Sequence, residues 1–393
     1  MRIAISGASG YIGQHLSSFL EGKGYDVIPL GRDLFKEDCF DELCRCVESC
    51  EVVINLAGAS INKRWTEAYK QELYDSRICV TRQLVHAINT RSVKLELFIS
   101  ASAVGYYPAF GEYDEYHDCR GMDFLARLCG AWEEEASACS SDVSLVITRF
   151  GVVLSEDGGA LKEMLRLQRF SRVSVVIGNG QQRFPWISLF DLCRSFGYII
   201  RNRQMRGVVN LVSPDLITQK QLAHTLARAD KIRRIIPLPE FFFRLKFGEG
   251  ASFVTKGQTV HPSKLQESGF TYIYLTIEKL MNITDHHTVP ELDVKRYMGR
   301  WYEIARYENH FERGMTDVTA TYTLLPDGKI RVENEGYKGG VHKKATGRAK
   351  QPDPKNNPGK LKVAFFLWFY ADYYILELDA DYQYAVIGSS TDK

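Results

Sequence analysis

Residues 2–16 read "RIAISGASGYIGQHL", and this stretch decides the fold. The first residues are apolar and β-branched, as in a buried strand. Gly7, Gly10 and Gly13 follow at intervals of three, and "IGQHLSSFLEGKG" then carries apolar residues at helical spacing until Gly24. Glycines between a strand and a helix meet a physical need. The backbone must turn tightly and approach a diphosphate closely, and the diphosphate charge then rests on the helix N-terminus. The pattern alone is a moderate signal, but directly after an apolar strand and before an amphipathic helix it is strong. Gly7, Gly10, Tyr11, Ile12 and Gly13 are therefore expected to line a dinucleotide site.

Outward from that motif, "DVIPLGR", "EVVINLAGA", "LELFISAS" and "VSLVITRFGVVL" are apolar runs of strand length separated by helical patterns. Such alternation predicts parallel strands with crossover helices, a doubly wound α/β sheet. Cofactor choice is read at the end of the second strand, where an NAD site usually carries Asp or Glu for the ribose 2′-hydroxyl. Here "PLGRD" gives Arg32, whose guanidinium suits a 2′-phosphate, so NADP(H) is favoured over NAD. The alternative is a solvent-facing Arg32 with Asp33 serving NAD.

A chain of 393 residues predicts two or three domains, and 45% hydrophobic with 25% charged residues fits a globular protein with sizeable cores. A net charge of +2 without a long basic run argues against nucleic acid. The N-terminus lacks the parts of a secretory signal, and "VAFFLWFY" (Val363–Tyr370) is too short to span a bilayer. All nine cysteines lie between Cys39 and Cys193, an odd and irregularly spaced set that points to free thiols in a reducing, cytoplasmic setting. The cluster "CFDELCRCVESC" reads as small apolar residues on a helix rather than as a metal site.

From about Thr288 the texture changes to short alternating segments such as "VTATYTLL", "KIRVENEGY" and "YYILELD", separated by turn chemistry in "PDGK" and "QPDPKNNPGK". This predicts an up-and-down antiparallel barrel. The polar join "NITDHHTVPEL" reads as a linker, and its His286–His287 pair reads as solvated rather than metal-binding.

Residues 1 to about 283 resemble the epimerase-like branch of the atypical extended short-chain dehydrogenases/reductases. The likeness rests on "GASGYIG", "VINLAGASI", "KRWTEAYKQELYDSRI", "FISASAVGYY", "GGALKEML", "FPWISLFDL" and "KGQTVHPSKLQESGF" in the expected order. It implies a Rossmann-like domain over 1–230 and the family's C-terminal piece, a small substrate subdomain, over 231–283. A linker at 284–290 and the β domain at 291–393 follow. It also implies that Leu56, Ala57 and Gly58 meet the cofactor, with Glu72 and Arg77 offered from a helix and Val153 from a strand. For Glu72 and Arg77 an ion pair between helical turns is the alternative, and for Val153 a place in the core. Members of this superfamily often pair as homodimers through helices of the catalytic region.

Hydride transfer to a carbonyl needs a proton donor near the developing oxyanion. Active relatives supply a tyrosine and a lysine one helical turn apart. In "GMDFLARLCGAWEEEA" those places fall on Leu125 and Cys129. Ser102 matches the serine that orients substrate, and Tyr106, Tyr107 or Cys129 would have to supply the acid. Glu133 and Glu134 are expected to face solvent or cap a neighbour. Phe184 and Trp186 are expected near a pocket mouth, and Asp191 is expected to fix local backbone.

The run "VPELDVKRYMGRWYEIARY…" resembles a bacterial lipocalin, with Gly299-Arg300-Trp301 as its Gly-x-Trp. Seven strands are countable, which predicts an open seam. The expectation is a truncated barrel, or one completed in trans. A fatty acid or lysophospholipid is the ligand that the resemblance implies, and a filled core is the alternative. The leading expectation is an NADP(H)-dependent oxidoreductase or epimerase-like enzyme acting on a small-molecule substrate, fused to a lipid-binding module. The rival is a non-catalytic NADP(H) sensor or scaffold.

Overall fold

The computed structural model describes residues 1–393 except 94, 282–287, 307–313, 355–356, 366–369 and 391–393, so the His286–His287 pair lies outside the described residues. The chain forms two compact units, Met1–Ile283 and Thr284–Lys393.

The strands of the first unit are β1 (Arg2–Ser6), β2 (Asp26–Leu30), β3 (Val52–Asn55), β4 (Leu97–Ala103), β5 (Glu112–Tyr113), β6 (Ser144–Phe150), β7 (Val152–Ser155), β8 (Val173–Ile177), β9 (Trp186–Ser188), β10 (Gly207–Leu211), β11 (Arg234–Leu238) and β12 (Thr259–Val260). Its principal helices are α1 (Tyr11–Glu21), α2 (Phe40–Glu48), α3 (Glu67–Thr90), α4 (Phe124–Ser137), α5 (Gly159–Ser171), α6 (Leu189–Arg201), α7 (Gln219–Ala229) and α8 (Glu240–Phe247).

Six of these strands form one parallel sheet in the order β2-β1-β3-β4-β6-β10. Leu16 and Leu20 of α1 and Leu192 and Phe196 of α6 pack on one face. Leu43 and Val47 of α2, Leu84 and Ile88 of α3 and Ala136 of α4 cover the other. With both faces covered, β3 is buried at all four residues, which is why "VVIN" shows no polar alternation. The chain turns back at β1, with β2 on one side and β3 on the other. That switch point opens a crevice at the carboxyl ends of the strands, where ligands of such sheets bind.

Short parallel pairs, β7–β9 and β8–β11, build the smaller part of the unit with α5 and α7. Trp186 was expected at a pocket mouth but is fully buried, because β9 runs through the core between α5 and α7. Asp191 accepts from the backbone amides of Ile273 and Tyr274 at 2.9 and 2.8 Å, so it fixes local backbone as expected.

Among the described residues the second unit is a sequential antiparallel meander of seven strands: β13 (Gly299–Tyr302), β14 (Met315–Leu324), β15 (Ile330–Lys338), β16 (Val341–Lys350), β17 (Lys360–Ala364), β18 (Ala371–Leu378) and β19 (Ala385–Ser390). Among the described residues β19 does not pair with β13, so the sheet is an open half-barrel with the expected seam. Gly299 takes φ +116°, a conformation L side chains avoid, and this places Trp301 over Tyr297 with ring centroids 4.9 Å apart. The indole NH of Trp301 donates to the Tyr297 carbonyl at 2.9 Å. Inside, the Tyr373 hydroxyl lies 2.9 Å from those of both Tyr297 and Tyr322, above a floor of Val332, Leu361 and Ile375.

Candidate nucleotide-binding site

The glycine loop lies where β1 hands over to α1. Gly7 takes φ +74°, and a Cβ there would sit 2.8 Å from the Leu56 carbonyl group. A Cβ on Gly13 would lie 2.2 Å from the Gly7 oxygen. Both contacts are with backbone, which cannot swing aside, so positions 7 and 13 admit glycine alone. No side chain caps α1 at Gly10, so the amides of Tyr11, Ile12 and Gly13 remain open toward the crevice. Those donors and the dipole of α1 are the chemistry a diphosphate requires.

The second wall is the turn after β3. Asn55 is fully buried: its Oδ1 accepts from Ser6 Oγ at 2.6 Å and from the Ala57 amide at 3.3 Å. Its amide donates to Thr81 Oγ1 at 2.8 Å, and Thr81 also accepts from the Trp132 indole at 2.9 Å. Arg77 donates to the carbonyls of Leu73 and Ala59 at 3.1 and 3.0 Å, and its guanidinium lies against Gly58, where a Cβ would be 2.9 Å from Cζ. The structure thus brings Leu56, Ala57 and Gly58 beside Gly7, with Arg77 as the buttress of their turn. Glu72 is exposed on α3, and among the described residues no ion pair joins it to Arg77. Asn55, Thr81 and Ser76, which bonds the Ala59 amide at 2.9 Å, hold this wall and were not singled out from the sequence.

Tyr11 turns its ring onto the Gly158–Gly159 turn, where a Cβ on Gly158 would fall 2.2 Å from the ring. Its hydroxyl is buried with no hydrogen-bond partner among the described residues. Half-buried Val153 packs with it against the same core. At the far end Arg32 is exposed just beyond β2, while the neighbouring Asp33 carboxylate is tied to Lys36, which holds it below the usual carboxylate range.

Beside the crevice, α4 carries Leu125, Cys129 and Glu133 at intervals of four, one stripe facing the end of β4. Leu125 closes on Gly105, where a Cβ would lie 2.5 Å from Cδ2. Burial, with the Glu133 charge adding to it, pushes the Cys129 thiol up to about 12, so it is protonated at neutral pH. Glu133 does not face solvent, which corrects the expectation for it. Its carboxylate takes a bidentate pair from Arg149 of β6 at 2.8 and 2.6 Å and accepts from Ser102 Oγ at 2.6 Å. Ser102 is 2% exposed and Arg149 is 4% exposed. Burial alone would lower the Arg149 pKa, but the Glu133 hydrogen bonds and charge outweigh it and raise it. Glu134, one residue on, is exposed and pairs with Arg120 at 2.8 Å.

The Tyr106 ring lies on the Arg149 guanidinium at 3.5 Å, with its hydroxyl 3.3 Å from Asp118 and its pKa raised by burial. Tyr107 is a core residue whose hydroxyl bonds the Asp114 carbonyl and Asn210 at 2.9 and 3.1 Å.

Residues 3–211 match the NAD dependent epimerase/dehydratase family. The chain belongs to that family. Residues 238–282 match a domain of unknown function, DUF1731, and residues 292–393 match a lipocalin-like domain. Among curated relatives, the chloroplastic epimerase family protein SDR39U1 homolog of Arabidopsis thaliana is 33% identical over 293 residues, covering 70% of this chain and 84% of the relative. Epimerase family protein YfhF of Bacillus subtilis is 33% identical over 307 residues, covering 74% of this chain and 100% of the relative. The crystal structure of human epimerase family protein SDR39U1 (isoform 2) with NADPH is 32% identical, with a TM-score of 0.66 over 73% of this chain and 100% of the human one. None of the described helices is long and apolar enough to cross a membrane.

Proposed function

We propose that the first unit binds NADP(H) in preference to NAD(H) and acts as a nucleotide-state binder rather than as a tyrosine–lysine reductase. The uncapped amides of α1 and the Gly7–Gly13 cradle fit the diphosphate, and the Leu56–Gly58 turn fits the opposite edge of the nucleotide. Arg32, exposed just beyond β2, offers a permanent cation that suits a 2′-phosphate. The human relative crystallised with NADPH is consistent with this choice. A bound nicotinamide would supply a hydride donor or acceptor at the crevice.

The observation that carries the reading is the buried Ser102–Glu133–Arg149 set. The hydroxyl that orients substrate in active relatives is here spent on a carboxylate at 2.6 Å, with Leu125 and Cys129 where a proton donor and its lysine would stand. The lipocalin-like unit then takes a small apolar ligand, a fatty acid or lysophospholipid, as a second input.

A second reading is favoured by Tyr106, a phenol on the face of a fixed cation, which could donate a proton to a carbonyl substrate. Titration of the purified chain with NADPH and NADH, followed by incubation with aldehydes and ketones including fatty aldehydes, separates the readings. Tight NADPH binding without turnover supports the binder. Turnover that Tyr106→Phe abolishes moves the conclusion to the enzyme, and failure to bind NADPH removes both.

A further inference from the structure

Between α1 and α6, at the end of α1 remote from the glycine loop, the first unit holds a cleft of about 450 Å³. Phe190, Arg194, Tyr198 and Arg201 of α6 line it at spacings of four, four and three, a single stripe of that helix. Gly197 borders the stripe on the side of α1. A Cβ there would meet Phe19 Cε1 at 3.1 Å and Arg201 Nη1 at 3.7 Å, so the Phe19 ring and the Arg201 guanidinium come together over the glycine. On the opposite border the Tyr198 hydroxyl donates to the Ser268 carbonyl, and its ring lies 5.5 Å from that of Phe270. The walls are thus α1, α6 and the segment 268–271.

Three of the lining residues are cations and none is a carboxylate. Arg194 is already committed. Its Nη1 donates to Asp191 at 2.8 Å and to the Thr271 carbonyl at 2.7 Å, and its guanidinium stands 5.3 Å from the Phe270 ring centroid. Asp191 is fully buried and shared with two backbone amides, so it lends the cleft no free negative charge. Lys23 and Arg201 are exposed, and among the described residues neither forms an ion pair. Lys23 Nζ lies 5.8 Å from the centroid of the Phe19 ring that Arg201 also borders. The helices run the same way, since α1 leads into β2 and α6 into β10, parallel strands of one sheet. Lys23 and Arg201, each about one turn past the contact of Phe19 with Gly197, therefore share one end of the cleft. Half-exposed Phe190 stands about two turns back, at the other end.

We propose that this cleft is a second binding site, for an aromatic phosphate monoester, with the phosphate at Lys23 and Arg201 and the ring system along Phe19, Phe270 and Phe190. Two neighbouring cations without counter-charges suit an anion of more than one charge, and a phosphate monoester carries about −1.5 to −2 at neutral pH. Arg201 offers a planar fork of donors for its oxygens and Lys23 a point charge. Aromatic faces on three walls suit a flat ring, which they meet by offset stacking or edge contacts. The volume is that of a small-molecule site, for which about 300–1,000 Å³ is usual. The nucleotide crevice is separate from it, since Phe19 lies about 12 Å along α1 from the start of that helix.

The test is calorimetric titration of the full chain with 1-naphthyl phosphate, in excess NADPH so that the nucleotide crevice stays occupied. Saturable binding is expected, with 1-naphthol, which lacks the phosphate, and inorganic phosphate, which lacks the ring, each weaker by about tenfold or more. Lys23→Gln with Arg201→Gln should weaken the ester by about tenfold or more. Phe190→Ser should weaken it by several-fold, and unchanged unfolding midpoints in both variants verify the fold. Absence of saturable binding overturns the proposal, as does inorganic phosphate binding as tightly as the ester. Binding that both variants leave unchanged also overturns it, and places the receptor elsewhere in the chain.

Discussion

Removing the Glu133 carboxylate should unfold the first unit far more readily than its place on a surface-looking helix implies. Glu133→Ala deletes three hydrogen bonds at 2.6–2.8 Å and leaves the Arg149 guanidinium, 4% exposed, as a buried cation without a counter-charge. Breaking a buried pair from one side costs about 3–5 kcal/mol. The Ser102 hydroxyl, freed in a site that excludes water, adds to that loss. A total of about 4 kcal/mol is a large share of the ~5–15 kcal/mol that keeps such a domain folded. The double variant Glu133→Leu with Arg149→Met removes both charges, so most of the penalty should vanish. What persists is the loss of the guanidinium's contact with Tyr106 and Tyr107 at 3.5 and 4.7 Å, about 0.5–2 kcal/mol, together with the Ser102 hydroxyl left without its acceptor. The assay is urea unfolding of the full chain, with NADPH fluorescence reporting the first unit separately from the second. A loss below about 1 kcal/mol in the single variant, or a double variant no more stable than the single, would refute the reasoning.

Three further outcomes are expected. Gly13→Ala should abolish NADPH binding by calorimetry, because its methyl would overlap the Gly7 carbonyl oxygen at 2.2 Å. Arg32→Gln should weaken NADPH by about tenfold to a hundredfold, the worth of a charge-assisted bond of about 1.5–3 kcal/mol, and leave NADH almost unchanged. Stability should fall in alkali. Burial lifts the Cys129 and Cys193 thiols from 9.0 to about 12 in the folded chain, so the unfolded chain holds fewer protons above pH 9. Stability is complete below that pH and declines by about 1.4 kcal/mol per pH unit per thiol toward pH 12. A pH series of unfolding midpoints in which Cys129→Ala does not flatten the decline would count against this assignment.

The glycine loop of the candidate nucleotide site is legible because its demands fall on backbone. A residue at φ +74° packed 2.8 Å from a carbonyl, and another 2.2 Å from a second carbonyl, can only be glycine, so Gly7 and Gly13 announce the loop wherever a strand and a helix flank them. The seven strands were legible for a similar reason, since each turn carries its own chemistry. The groups that hold the site together were less so. Asn55 and Thr81 look like ordinary polar residues at the edge of a strand and in a helix, and only the approach of α3 to β3 makes them partners. Trp186 sits in a stretch whose aromatics suggest a pocket, yet the decisive fact is that it packs in one buried cluster with Leu161 and Leu165 of α5 and Leu222 and Leu226 of α7, which no local pattern records.

The stretch "WEEEA" shows where local reading stops. Three successive carboxylates enter three environments: Glu133 bonds buried Arg149, Glu134 meets exposed Arg120, and Glu135 bonds Arg82 across to α3. Helical geometry separates their directions by about 100° each, so at most one can face the sheet. Which one follows from a different line of the sequence. "LVITRFGVV" is an apolar strand interrupted by one arginine, and a strand covered on both faces cannot carry a charge without a counter-charge. The partner must be a carboxylate on the helix over the end of that strand, in the stripe already defined by Leu125 and Cys129. Four residues beyond Cys129 stands Glu133. Arg149 thus demands Glu133, and Glu133 in turn claims Ser102. A chain built this way keeps the serine and ties its hydroxyl to a buried ion pair.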